Sequence, residues 1–85
     1  MTGYRIQYAG EAEKVRAQMP SPFRARFDAE IARTLGRDPY GHGSGPAGPP
    51  REKDRRHATV AGALVRYYIA GAPVLVVTTV EIVHL

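Results

Sequence analysis

The amino-acid sequence predicts an α+β fold of order β-α-α-β-β-β, a helical hairpin packed on one face of a mostly antiparallel four-stranded sheet. Three observations predict it. The chain starts with a period-two alternation, continues with two stretches of helical periodicity ended by Pro20 and Gly36, and finishes with β-rich runs parted by short turns.

Tyr4, Ile6 and Tyr8 alternate with Arg5 and Gln7, the pattern of a strand with one buried face. Ala9-Gly10 ends it. From Glu11 the spacing changes: Ala12, Val15 and Met19 fall on one helix face, and Glu11 and Glu13 sit near the positive end of the helix dipole. Pro20 stops this helix. In the next one Ser21 is placed to cap, and Pro22 fits the first helical position, where its missing N–H costs nothing. Phe23, Phe27, Ile31 and Leu35 recur every four residues, an apolar stripe expected to enter the core. Gly36 and Asp38-Pro39 end it. Helices joined by so short a turn should pack as an antiparallel hairpin.

Gly36 to Pro50 holds five Gly and four Pro among fifteen residues. Such a segment is expected to form no regular element and to be a flexible surface loop at 36–50. The charge cluster Arg51 to His57 follows and runs into Ala58-Thr59-Val60. Ala61-Gly62 reads as a hairpin turn. Ala63 to Ala70 is a strand, with Ala63, Val65, Tyr67 and Ile69 on one face and Leu64, Arg66 and Tyr68 on the other. After a turn at Gly71-Ala72-Pro73, the run from Val74 to Leu85 is β-branched almost throughout and reads as the central strand.

With 85 residues there is room for one core, so residues 1–85 are read as a single domain. Cysteine is absent, which excludes disulfide staples, thiolate metal sites and a cysteine nucleophile, and fits a reducing cytoplasm. No stretch is long and apolar enough for a signal peptide or a membrane span. Twelve Lys and Arg stand against eight Asp and Glu, a formal charge of +4, and ten of the twelve are Arg, the side chain that best forks onto phosphate or carboxylate. The balance suits nucleic acid, an acidic protein partner or a solvated surface. His42, His57 and His84 show no HxxxH or HExxH spacing, and no metal or other cofactor is expected. Gly41-His42-Gly43-Ser44-Gly45 follows a helix instead of leading from a strand into one, so it is not a phosphate loop.

The order of elements, the helix ending Leu35-Gly36-Arg37-Asp38-Pro39 and the strand Gly62-Ala63-Leu64-Val65-Arg66-Tyr67-Tyr68 together resemble the RelE/ParE family of bacterial type II toxins over essentially the whole chain. The ending is similar to the family's Leu-x-x-Asp-Pro, and the strand to its Gly-x-Arg-Val-x-Tyr. The resemblance implies a toxin fold, a cytoplasmic location and a cognate antitoxin that wraps the toxin with a helix or an added strand. In the RNA-cleaving branch it implies basic residues on the strand after the loop, an Arg on the next strand and a basic or aromatic group near the C-terminus. Lys53, Arg55, Arg56 and His57 fit the first requirement and His84 falls near the third. With Tyr67 aligned to the family tyrosine, Leu64 fills the strand Arg position, and Arg66 lies two residues on, on the same face.

RNA cleavage without a metal needs a base or cation to help the 2′-hydroxyl attack its own phosphate, cations to hold the phosphorane charge, and an acid for the departing 5′-oxygen. On the resemblance, His57 and His84 are the proton-transfer candidates and Arg66 completes the catalytic set; Lys53, Arg55 and Arg56 hold phosphate, and Tyr68 stacks on a base. Each has a plainer reading: Arg51 to His57 as a solvated mixed-charge surface, Arg66 as the partner of Glu81 on the next strand, His84 as part of a frayed end. Three functions are therefore open: an mRNA endonuclease acting on free or ribosome-bound message, a ParE-like toxin that binds gyrase without chemistry, and an inactive toxin fold kept as a binding subunit that meets DNA only through the antitoxin complex.

Overall fold

Strand β1 (Arg5–Tyr8) is followed by α1 (Gly10–Gln18) and α2 (Ser21–Arg33), and then by β2 (Gly45–Pro46), β3 (Arg55–Val60), β4 (Ala63–Ile69) and β5 (Val74–Ile82). This is a computed structural model, and it describes residues 3–46, 55–70 and 74–82. The α+β class is as expected, but the sheet has five strands, in the order β1-β5-β4-β3-β2. It is also mixed: β1 runs parallel to β5, while the other three pairings are antiparallel. The parallel pairing inserts β1 beside the most apolar strand, so β5 is bonded along both edges. β5 is thus interior, and the middle of the sheet belongs to β4.

The extra strand comes from the segment expected to have no regular element. Gly45 and Pro46 pair with His57 and Arg56 of β3. Pro46 is tolerable there because this short strand is the sheet edge, where a missing N–H breaks no second ladder. The path into it is tied down locally. Tyr40 N–H bonds the Asp38 carboxylate at 3.2 Å, Ser44 N–H bonds the Gly41 carbonyl at 3.1 Å, and His42 and Gly43 both take positive φ, at 57° and 77°.

The helices cover one face. Phe27, Ile31 and Leu35 are buried as their spacing predicts, and Phe23 packs at the margin. Ala12 and Met19 of the α1 segment join them over Ala58, Val60, Ala63, Val65, Tyr67, Leu75, Val77 and Val80. α1 lies over β5 and α2 over β3. The two helices are tied by Arg16, whose Nε and Nη2 reach the Asp28 carboxylate at 2.8 and 2.6 Å, and by Arg24 donating to the Ala17 carbonyl at 3.2 Å. Ser21 does not cap: Pro20 holds the cap position with no side-chain bond, Ser21 opens the helix, and Pro22 falls one residue later than expected. At the far end a Cβ on Gly36 would lie 2.7 Å from the Ala32 carbonyl oxygen, so only glycine lets the chain fold back and offer its own carbonyl to Tyr4 N–H at 2.6 Å.

The β3–β4 hairpin turns on Ala61 and Gly62 as expected, both at positive φ, 50° and 84°. Between β4 and β5 the register slips: Tyr67 pairs with Val77 but Arg66 with Thr79, leaving Thr78 as a bulge whose Oγ1 donates to the Arg66 carbonyl at 3.2 Å. The slip changes the parity of the core side of β5. Leu75 and Val77 are buried before it and Val80 after it, which a simple alternation along this β-branched run does not foretell.

Candidate nucleic-acid interface

Among the described residues no helix lies over the other face of the sheet, and the register decides what it shows. The outward pairs across β3 and β4 are Arg55↔Tyr68, His57↔Arg66 and Thr59↔Leu64. Outward across β4 and β5 are Tyr68↔Val76, Arg66↔Thr79 and Leu64↔Glu81, and β1 adds Arg5 and Gln7 beside Val74 and Val76. Directly opposite side chains on one face of such a ladder stand about 5 Å apart at Cβ, close enough to act on one ligand group. Among the described residues this face carries Arg5, Arg55, Arg66 and His57 against Glu81. It is therefore a positive surface with an aromatic ring in it.

Four of the residues expected from the sequence come together here: Arg55, His57, Arg66 and Tyr68. The Arg55 guanidinium sits 5.7 Å from the centroid of the Tyr68 ring, so cation and ring present themselves as a unit. His57 is half-buried beside Gly45, and a Cβ built on that glycine would lie 3.5 Å from both Cε1 and Nε2 of the imidazole. Arg66 is exposed at mid-strand. It stands opposite Thr79, with Glu81 opposite Leu64, and among the described residues it makes no ion pair, in contrast to the pairing with Glu81 that the sequence allowed.

Arg56 belongs to a different group. The alternation of β3 turns it to the helix-covered side, opposite Tyr67. There its Nε donates to Ser44 Oγ at 3.1 Å, and its Nη2 to the carbonyls of Ser44 and Tyr40 at 3.2 and 3.3 Å, with the Tyr40 ring 5.2 Å away. The Tyr67 hydroxyl donates to the Pro39 carbonyl below the same segment, and burial raises its pKa above the ordinary tyrosine value. His84 and Lys53 lie outside the described residues. Arg5 was not singled out from the sequence: its alternation marks it as outward, but only the β1–β5 pairing puts it on the face of Arg55 and Arg66.

No group of three or more His, Asp or Glu side chains among the described residues is placed to hold a metal ion. Among those residues, no helix is long and apolar enough to cross a membrane. The fold and the face together define a small α+β protein with one helix-covered and one basic sheet surface. No protein-family model matches the chain, and no curated protein matches it in sequence.

Proposed function

We propose that this chain is a toxin of the RelE/ParE type that acts as a metal-independent mRNA endonuclease and is held in check by an antitoxin in the cytoplasm. The observation that carries the reading is the His57↔Arg66 pair beside the Arg55↔Tyr68 pair on the uncovered sheet face. Arg55 and Arg66 supply fixed positive charge for the scissile phosphate and for the phosphorane formed from it. His57 moves the proton, as base for the 2′-hydroxyl or acid for the 5′-oxygen. Tyr68, with Arg55 against it, receives an unstacked base. Lys53 and His84 complete the set on the family resemblance. Arg56 contributes through the segment that it holds.

The test is brief induction in a bacterial host followed by mapping of RNA 5′ ends, with His57→Ala and Arg66→Ala alongside. New 5′-hydroxyl ends inside translated codons that vanish in both variants are the expected result. Full growth arrest by both variants would refute the nuclease.

One observation favours a second reading. Leu64, which the resemblance puts at the strand Arg position, is on the open face between Thr59 and Glu81, so no cation stands at that place. A leucine in place of that cation suits a toxin that binds its target without chemistry, as in the gyrase-binding branch. Growth arrest with intact RNA and inhibited supercoiling would select that branch; normal growth would select an inactive binding subunit.

A further inference from the structure

We propose that Arg56 is a positioning residue, which latches the segment 38–46 so that Gly45 lies against His57 and leaves the edge of the imidazole open on the sheet face. The inference builds on the role given to His57 above. Three donations from Arg56 go to that segment: to Ser44 Oγ at 3.1 Å, the Ser44 carbonyl at 3.2 Å and the Tyr40 carbonyl at 3.3 Å. These acceptors match the flat fork of a guanidinium, a geometry that a lysine ammonium does not reproduce. Tyr67 holds the start of the segment through the Pro39 carbonyl. With both ends fastened, the next residue, Gly45, enters the sheet opposite His57.

The glycine at 45 is not required by the backbone, since among the described residues the glycines at positive φ are Gly43 and Gly62. Its effect is on the neighbouring ring. A Cβ there would stand 3.5 Å from Nε2 and Cε1, ordinary contact distance, and any longer side chain would grow from that point over the imidazole edge. Glycine therefore gives β2 a backbone that supports the ring on one side and leaves its nitrogen reachable. A proton-transfer group needs both properties, because the nitrogen must approach the substrate within hydrogen-bond reach and in one orientation.

The experiment measures acylation of each histidine by diethyl pyrocarbonate, resolved by peptide mapping, with added N-acetylhistidine as reference. Gly45→Val is expected to slow acylation of His57 several-fold relative to that reference. Arg56→Ala is expected to speed it as the segment lifts, and Arg56→Lys to behave like Arg56→Ala. In RNA cleavage, Arg56→Ala should lower kcat on the order of 100-fold with KM little changed, the cost of a misplaced catalytic group. Acylation of His57 at the wild-type rate in folded Gly45→Val or Arg56→Ala protein overturns the proposal. Should Arg56→Ala not fold, Ser44→Ala, which removes one acceptor of the latch, serves the same comparison. If the wild-type protein cuts no RNA, the nuclease reading falls, while the acylation rates still decide the latch.

Discussion

Replacing Tyr67 by Phe removes one oxygen from the best-buried aromatic residue of the sheet. Tyr67 is 2% exposed, and its hydroxyl donates to the carbonyl of Pro39, itself buried. The ring stays, so its apolar burial in the core is unchanged. What is lost is one internal hydrogen bond, and an acceptor is left short of a donor inside the protein. A neutral bond contributes about 1 kcal/mol net, and an orphaned buried acceptor costs about 1–3 kcal/mol. Ser44 Oγ is 3.4 Å from the same carbonyl and can take up part of the deficit. The expected loss is therefore about 1.5 kcal/mol, near the low end of that range. For a domain of this size that lowers Tm by about 6–12 °C. Thermal melts of wild type and Tyr67→Phe followed by circular dichroism measure it directly. Hydrogen exchange on 40–46 should rise in the variant at the same time. A Tm change under about 2 °C would show that the hydroxyl is satisfied elsewhere, and the account of the loop as fastened to β4 would fail.

Alkaline pH should destabilise the protein, with a sign that follows from two tyrosines. Burial pushes Tyr8 up to about 12 and raises Tyr67 as well, so the folded state holds those protons more tightly than the unfolded chain. Their contribution is complete below the ordinary tyrosine pKa of about 10 and is lost as pH climbs through the folded values. Tyr8→Phe should flatten the fall in Tm above that pH, and an unchanged slope would contradict the assignment. Ala61→Asn should stabilise, because alanine at φ 50° carries a steric cost of about 1 kcal/mol that asparagine largely avoids in a two-residue hairpin turn. A Tm at or below wild type counts against it. In RNA binding to a single strand, Arg66→Ala and Arg55→Ala should each reduce the slope of log K against log salt by about 0.7, the share of one phosphate contact. An unaltered slope would take both residues off the phosphate path.

Much of the fold was legible because short-range patterns carry it. Phe27, Ile31 and Leu35 recur at helical spacing and are buried; Ala63, Val65 and Tyr67 alternate with Leu64, Arg66 and Tyr68 and fall on opposite faces, as the strand period demands. The hairpin at Ala61-Gly62 was equally plain, since the two β runs leave only those residues between them. Four of the candidate site residues on β3 and β4 share a face for the same reason. The segment 36–50 was not legible, because Gly and Pro encode what a chain avoids locally and not which edge it will meet. Its two-residue strand exists because β3 offers an edge and Arg56 offers donors.

By itself the sequence determined the α+β class, both helices, the core stripe of α2 and the inside and outside of β4. These depend on periodicity and on residues that stop or turn the chain within a few positions. Only the tertiary structure decided that β1 lies parallel against β5, that Thr78 bulges and shifts the parity of β5, and that Arg5 joins the basic face while Arg56 leaves it. Each of those depends on which backbone groups, far apart in the chain, bond to one another. Such pairing is chosen by the burial and hydrogen bonding of the whole sheet, and no single segment contains it.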